Sequence, residues 1–516
     1  MAPALARRLR WGGGGDHLRG GAQGAELRIG SQWRPLRLSA AELEGLPAGD
    51  LLMIGIGEGC AVEAALARPE GAVIAWERDP LLLIAALRRF DWSAPLGAGR
   101  LRLGLGVDLL DLRAVTAQRW VHPALRSTLS QHLALLDGPA DAPRVLLAEG
   151  DLFVEDLASA LRAAGYAVVP WDIRRCAPEE LNEAARRVEA RFVLAVNHTE
   201  GLCEATRRLG LPLLIWEIDP SLSDPKPPVG KADHCWVFTY RQAHVALYAA
   251  ARFPQVAYLP LAADPRRRRP VAAGPRQGLV FVGSSMVENG RKWRAAFLSV
   301  VRQRLPQLDP AQAQRKVEQL LAEQRRSPMA YTLPARVDEA FPGLRLGGGE
   351  IDPAALLGEA AAAERRLLLV GRLGPLGVQV WGDEGWRLLS GAGVVPRGFA
   401  AHGEALSRLY SEARVNVDIG RLYQLDIVTM RVFDVLACGG FLLAERCPAL
   451  GELFTEGVHL EAWGSPEELV EKAQFYLRHP AQAAAMGLAG RAAVEARHDI
   501  RQRLATMLDT AKVAAE

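Results

Sequence analysis

Two aspartates, Asp426 and Asp434, stand eight residues apart in the stretch DIVTMRVFDVLACGGFLLAE. Apolar and small residues recur at helical spacing from Met430 to Ala437, two glycines follow, and an apolar run closes the stretch. This pattern predicts a helix, a glycine stop and a buried strand. Carboxylates near a helix N-terminus can accept hydrogen bonds from the vicinal hydroxyls of a sugar, and the helix end favours an anion such as a diphosphate. The structural alternative is an amphipathic helix followed by a core strand.

The same stretch resembles the C-terminal half of nucleotide-sugar glycosyltransferases of the GT-B architecture, in particular the CgeB-type family (glycosyl transferases group 1). That family carries a similar RvFEvlAcGG phrase, and the resemblance continues to Arg501. Asp426 and Asp434 match its two acidic positions, which are Glu in many members. The resemblance therefore implies that both are catalytic and that, with Arg431, they bind the donor.

The turns that should face the donor are also identified by this resemblance. Strand-like residues 278–282 lead into Gly283 and Ser284, where the family binds the nucleotide diphosphate. Backbone N–H groups there, with a cation from Arg291 or Lys292, would stabilise the leaving phosphate. The resemblance likewise implies donor contacts at two further residues, Arg397 and Gly398.

A middle segment beginning at Arg144 alternates short apolar runs with helical patterns, which is typical of a parallel sheet covered on both faces. His198 lies at a strand end, where it could hydrogen-bond the transferred sugar or its acceptor, and we predict that it is catalytic; a structural histidine is the alternative. Glu217 and Asp219 form an acid-x-acid triplet, which we interpret as a loop shaping the acceptor side. No metal is expected. Arg266–Arg269 form a basic run, which we interpret as a solvated linker in preference to a nucleic-acid or membrane patch.

An N-terminal segment predicts strands at 51–54, 72–76 and 101–105. Between the first two, Gly55-x-Gly57-x-Gly59 is similar to the cofactor loop of class I methyltransferases, and Glu77 stands where ribose hydroxyls could be held. The segment also resembles the N-terminal region of the Maf-type motility-associated glycosyltransferases. We interpret it as a structural Rossmann-like module, with an S-adenosylmethionine site as the alternative.

The length, charge and cysteine content of the chain limit the classes of protein to which it can belong. The chain has 516 residues, 49% of them hydrophobic, and a formal net charge of +3, so two or three domains are expected and charge alone implies no nucleic-acid partner. Six scattered cysteines argue against a disulfide framework and favour a reducing cytoplasm. No apolar run is long enough to span a bilayer.

The predicted fold class is α/β, a GT-B-like pair of Rossmann-like domains preceded by a smaller N-terminal module. The predicted divisions are 1–140 for that module, 141–270 for the acceptor-side domain, 271–500 for the nucleotide-sugar domain and 501–516 for a helix crossing back.

The predicted function is transfer of a sugar from a nucleotide-sugar donor to a protein, such as flagellin, or to a bacterial surface glycan. The transfer is expected to be metal-independent and retaining, with the donor as co-substrate and no cofactor. The alternatives are an S-adenosylmethionine-dependent methyltransferase and a non-catalytic GT-B-like scaffold. Oligomeric state is left open.

Overall fold

The computed structural model describes residues 3–9, 16–21, 24–29, 32–150, 152–219, 224–271, 277–345 and 351–513. These residues form an α/β protein built mainly from three parallel sheets and the helices that connect their strands. No helix in those ranges has the length and apolarity needed to cross a membrane.

The N-terminal part contains a small antiparallel sheet and a parallel one. The antiparallel sheet is formed by β1 (Leu18–Gly21), β2 (Gly24–Ile29) and β3 (Gln32–Pro35). The parallel sheet has the order β6-β5-β4-β7 and consists of β4 (Leu51–Ile54), β5 (Val73–Glu77), β6 (Leu101–Leu105) and β7 (Gln118–Val121). The helices here are α1 (Pro3–Arg8), α2 (Ala40–Glu44), α3 (Cys60–Leu66), α4 (Pro80–Arg89), α5 (Ser93–Gly97) and α6 (Ser130–Asp137).

The second parallel sheet has six strands in the order β13-β12-β11-β10-β8-β9. Its strands are β8 (Arg144–Ala148), β9 (Ala167–Trp171), β10 (Val193–Val196), β11 (Leu213–Glu217), β12 (Cys235–Thr239) and β13 (Gln255–Tyr258). The connecting helices are α7 (Val154–Ala163), α8 (Pro178–Val188), α9 (Leu202–Arg208) and α10 (Gln242–Ala250).

The third sheet is parallel throughout, in the order β16-β15-β14-β17-β18-β19. Its strands are β14 (Gln277–Val282), β15 (Gln379–Trp381), β16 (Val395–Pro396), β17 (Ala413–Val417), β18 (Leu442–Glu445) and β19 (Glu461–Trp463). Its helices are α11 (Val287–Arg304), α12 (Pro310–Arg326), α13 (Leu333–Ala340), α14 (Pro353–Arg372), α15 (Glu404–Glu412), α16 (Met430–Ala437), α17 (Pro448–Leu453), α18 (Pro466–Arg478), α19 (Pro480–Arg497) and α20 (Ile500–Ala511).

The predicted helix, glycine stop and strand around Asp434 are confirmed. Helix α16 buries Val432, Phe433, Val435 and Leu436, and all four residues of β18 are buried. Between them Gly439 has φ +69°, a left-handed conformation that glycine adopts without steric cost. The chain can therefore turn directly from the helix into a core strand.

The chain divides into two compact units. Unit 1 comprises Met1–Trp216, Pro228–Trp236 and Leu508–Glu516, and unit 2 comprises Glu217–Pro227 and Val237–Met507. The predicted fold class, α/β with Rossmann-like parallel sheets preceded by a smaller α/β module, is confirmed. The three predicted domain boundaries stay a prediction.

Candidate functional site

The candidate site lies in unit 2, where the parallel strands β14, β15 and β17 end. Gly283 and Ser284 follow β14, Asp383 comes shortly after β15, and Asp418 follows β17. Ligands of open parallel sheets bind outside the carboxyl ends of the strands. We call this region the carboxyl edge of unit 2.

Asp383 holds the turn after β14 in place. Its carboxylate accepts hydrogen bonds from the hydroxyls of Ser284 and Ser285, from the backbone N–H of Ser285 at 2.9 Å and from that of Gly385 at 3.0 Å. Burial raises the pKa of Asp383, but these hydrogen bonds outweigh it and hold the pKa below its usual value. The turn is thus preorganised by the protein's own groups.

Arg431, on the first turn of α16, packs directly against this turn. Its Nε donates to the Val282 carbonyl at 2.8 Å, Nη1 forms an ion pair with Asp418, and its guanidinium lies 5.0 Å from the centre of the Phe281 ring. A Cβ atom on Gly283 would lie 2.9 Å from Arg431 Nη2. Glycine at this position is what allows the guanidinium to approach the backbone of the turn.

Arg366, on α14, is a second cation at this edge, and sequence reasoning missed it. Its side chain is buried and donates from Nη1 to the Ser284 carbonyl at 2.8 Å and from Nη2 to the Ile419 carbonyl at 3.1 Å. Among the described residues no carboxylate forms an ion pair with it, and its Nε has no hydrogen-bond partner. Burial, and then the charge of Arg431, lower the pKa of Arg366 to about 9. A buried guanidinium without a direct carboxylate partner, at the carboxyl ends of the strands, is suited to bind an anion.

The two predicted carboxylates differ in exposure. Asp426, in the loop before α16, has a 41% exposed side chain and accepts a hydrogen bond from Arg241 Nε at 2.8 Å. Asp434 is buried within α16 and pairs with Arg268, whose Nε lies 3.2 Å from Asp434 Oδ2. Burial raises the pKa of Asp434, and Arg268 offsets this only in part. Asp426 is therefore the more accessible of the two to a ligand.

The Arg268–Asp434 pair also corrects the interpretation of Arg266–Arg269 as a solvated linker. The Arg268 side chain is only 16% exposed because it forms an ion pair with the buried Asp434 carboxylate. Arg266 is 41% exposed and pairs with nearby Asp264 at 2.9 Å. The run is thus partly structural: the solvated-linker interpretation is wrong for Arg268.

The remaining predicted donor residues lie near the surface of unit 2. Arg291 is 66% exposed and pairs with Glu288 at 2.7 Å, in a cleft that Ser284 and Asp383 also line. Lys292 is exposed and lies 5.0 Å from the ring of Trp293. Arg397 donates to Gln379 at 2.9 Å, and the Gly398 carbonyl accepts from Gly382 N–H at 2.8 Å. Their donor roles stay predictions.

The predicted acceptor-side residues are placed differently from one another. Glu217 is buried, and Thr239, His244 and Tyr248 all donate to its carboxylate. This geometry favours a supporting role for Glu217 over direct contact with an acceptor. Asp219 is exposed. His198 belongs to unit 1, half-buried just beyond the end of β10, whereas the two aspartates belong to unit 2. The acceptor roles of all three stay predictions.

Residues 355–509 match the model of a family described as "Glycosyl transferase-like". The match spans less than half of the chain, and it includes Arg366, Asp418, Asp426, Arg431 and Asp434. It supports a glycosyltransferase, as the sequence predicts; the more specific likenesses to the CgeB-type and Maf-type families stay predictions. A comparison with curated protein sequences gives no match.

Three solved structures illustrate what the chain is similar to. A glycosyltransferase from Rickettsia africae is 9% identical, with 72% of this chain and 98% of that chain covered and a TM-score of 0.43. A sucrose-phosphate synthase from Thermosynechococcus elongatus is 13% identical, with 72% and 100% covered and a TM-score of 0.42. HepE from Anabaena, in complex with UDP-glucose, is 12% identical, with 72% and 99% covered and a TM-score of 0.40. These likenesses are too distant to carry an inference about substrate or mechanism.

The N-terminal glycine loop in unit 1 is filled by the protein's own side chains. Cβ atoms on Gly55, Gly57 and Gly59 would lie 2.8, 2.7 and 2.9 Å from side-chain atoms of Leu129, His122 and Trp92. The Glu77 carboxylate is buried and accepts from the backbone N–H of Ile56 at 2.8 Å, and burial raises its pKa to about 7. This packing favours a structural module over a nucleoside site.

Within the part of the chain that the structure describes, no group of three or more His, Cys, Asp or Glu side chains could hold a metal ion. The cations that the carboxyl edge itself offers are the guanidinium groups described above.

Proposed function

We propose that the chain is a glycosyltransferase that takes its sugar from a nucleotide-sugar donor bound at the carboxyl edge of unit 2. The observation that carries the proposal is the family match over residues 355–509, because it contains both aspartates and the two arginines of that edge. The donor is a co-substrate, and no further cofactor is proposed.

The diphosphate of the donor is assigned to the turn after β14. Arg366 donates to the Ser284 carbonyl, and Arg431 lies against Val282 and Gly283. As the bond between sugar and diphosphate breaks, negative charge develops on the leaving group, and fixed cations in a partly buried site stabilise it. Arg291 or Lys292 adds a further cation in this proposal, and the transfer is metal-independent.

The sugar is assigned to the neighbourhood of Asp426. Its exposed carboxylate can accept two hydrogen bonds from vicinal hydroxyls. Asp434 follows eight residues later in the sequence and is buried on α16, whose first turn carries Arg431. Its carboxylate forms an ion pair with Arg268. We propose that Asp434 supports donor binding through this helix, and that the anomeric configuration is retained.

The acceptor is proposed to be a protein such as flagellin, or a bacterial surface glycan, and the reaction to take place in the cytoplasm. His198 is proposed to be catalytic, Asp219 to contact the acceptor, and the buried Glu217 to support the acceptor side. This part rests on the family resemblance rather than on the geometry of the site.

Thermal unfolding with added ligands tests the proposal. A ligand that binds only the folded state raises the unfolding temperature by mass action, so UDP, GDP, CMP, dTDP, ADP and S-adenosylmethionine are compared. We expect one nucleotide to stabilise the protein, and Asp426→Asn to weaken the stabilisation by the corresponding nucleotide sugar. Asp338→Asn is the matched control, because Asp338 is 54% exposed and pairs with Arg345 at 2.8 Å, as Asp426 pairs with Arg241. Stabilisation by S-adenosylmethionine alone would favour the methyltransferase, and no stabilisation by any ligand would favour the scaffold.

A further inference from the structure

Glu217 is the buried start of a chain of hydrogen bonds in unit 2. His244 Nδ1 lies 3.1 Å from both carboxylate oxygens of Glu217, and Tyr248 OH donates to the same carboxylate at 3.2 Å. His244 and Tyr248 are four residues apart on α10, so both side chains face one way. Because a carboxylate accepts hydrogen bonds, His244 Nδ1 carries the hydrogen.

The other ring nitrogen of His244 faces Arg241. His244 Nε2 lies 3.3 Å from Arg241 Nη1, and a guanidinium offers only donors. Nε2 must therefore accept, which requires a neutral imidazole with its hydrogen on Nδ1. Among the residues that the structure describes, the charged groups hydrogen-bonded to this ring are Glu217 from β11 and Arg241 at the start of α10; Tyr248 on α10 donates to the same Glu217 carboxylate.

Arg241 extends the chain to the candidate donor carboxylate. Its Nε donates to Asp426 Oδ2 at 2.8 Å, and its Nη2 donates to the Tyr423 carbonyl at 3.2 Å. The neighbouring Tyr240 hydroxyl accepts from Gln424 Nε2 at 2.6 Å. All of these residues belong to unit 2. The loop that carries Asp426 is thus fixed by Arg241, and Arg241 by His244.

We propose that Arg241 and His244 are positioning residues that orient Asp426 for the donor sugar, and that protonation of His244 releases Asp426 and weakens donor binding. The inference rests on the proposed function, because it assigns the donor sugar to Asp426. A protonated His244 carries a second N–H at Nε2, which points at the Arg241 donors; the hydrogen bond is lost and two cations face each other.

Variants of His244 separate positioning from simple packing. His244→Gln keeps an acceptor within reach of Arg241 but cannot titrate, whereas His244→Leu has a similar volume and no acceptor. Binding of the nucleotide sugar that stabilises the protein is measured at pH 7.5 and at pH 5.5. We expect His244→Leu to bind about tenfold more weakly at pH 7.5, the effect of losing one charge-assisted hydrogen bond. We expect His244→Gln to bind like the wild type at pH 7.5 and to lack the wild type's loss of affinity at pH 5.5.

Two results would overturn the inference. Equal affinities of the His244→Leu protein and the wild type would show that His244 does not position Asp426. An equal acidic loss in wild type and His244→Gln would show that the responsible proton binds elsewhere. Should His244→Leu fail to fold, Arg241→Lys replaces it, because a single ammonium cannot bridge His244 and Asp426 as the guanidinium does.

A ligand-free measurement keeps the two proposals distinguishable. In urea unfolding at pH 7.5, Asp426→Asn and His244→Leu are combined in a double-mutant cycle, because Arg241 is hydrogen-bonded to both side chains. We expect their effects to be non-additive, since Arg241 connects them; additive effects would contradict the chain. Absence of nucleotide-sugar binding by the wild type would instead refute the proposed function, and the cycle would still decide whether the chain exists.

Discussion

Breaking the Arg268–Asp434 pair from its two ends should have unequal consequences for stability. Arg268→Met leaves the Asp434 carboxylate buried, with a side chain only 8% exposed, and without its partner. Removing one partner of a buried ion pair costs about 3–5 kcal/mol, and because Arg268 is 16% exposed we expect the lower end, about 3 kcal/mol at pH 7. Asp434→Asn instead removes the charge whose burial raises its pKa, and we expect it to change the free energy of unfolding by less than about 1 kcal/mol.

The pH dependence gives this prediction a second readout. The pKa of Asp434 is raised in the folded protein, so protonation favours folding, and stability falls as pH rises from the unfolded value toward and through the folded one. Arg268→Met raises the folded pKa further. Its deficit should therefore be full at neutral pH and disappear under acid conditions, and the Asp434→Asn background should remove this dependence.

Urea unfolding of the wild type, Arg268→Met, Asp434→Asn and the double variant, at pH 7 and at pH 5, measures these effects. Arg268→Met should be the least stable, and adding Asp434→Asn to it should restore much of the loss. The reasoning would be refuted if Arg268→Met were as stable as the wild type, or if Asp434→Asn were the more damaging of the two single changes.

Two further predictions concern the turn after β14 and the start of α20. Gly283→Ala should weaken nucleotide binding about tenfold and lower the free energy of unfolding by about 1 kcal/mol, because the new Cβ would lie 2.9 Å from Arg431 Nη2 and displace that guanidinium. Calorimetry measures the affinity and thermal unfolding the stability. Unchanged affinity would show that Arg431 does not bind the nucleotide. His498 accepts a hydrogen bond from Arg503 at 2.9 Å, and burial, then Arg503, lower its pKa to about 4. Its contribution to stability should be complete above pH ~6.5 and decline by about 3 kcal/mol as pH falls toward 4. His498→Gln should flatten that slope, and equal slopes of the two proteins in urea unfolding would contradict this prediction.

The sequence predicted those helices and strands that are determined by the local spacing of apolar residues and glycines. The helical spacing from Met430 to Ala437, the two glycines and the apolar run after them specify α16, its stop and β18, and each is found. The strands at 51–54 and 101–105 agree with β4 and β6, because short apolar runs between turn residues have few alternatives in a buried parallel sheet.

What the sequence did not reveal depends on contacts between distant residues. Arg268 looked like one of four solvated arginines, and only the fold brings it to Asp434. Arg366 lies in the run AERRLLL, which does not show which arginine is buried. Arg241 and His244 follow a strand with no distinctive sequence motif. Their connection to Asp426 is evident only in the structure, where Arg241 Nε lies 2.8 Å from Asp426 Oδ2. Local periodicity carries no information about such pairings.

We propose that Asp426, at the carboxyl edge of unit 2, binds the sugar of a nucleotide-sugar donor that the protein consumes. The most direct test is release of nucleoside diphosphate from a panel of nucleotide sugars by the wild type, Asp426→Asn and Asp338→Asn. We expect release from one donor class, a loss of at least about tenfold in Asp426→Asn, and wild-type rates in Asp338→Asn. Equal rates in Asp426→Asn and the wild type would contradict it.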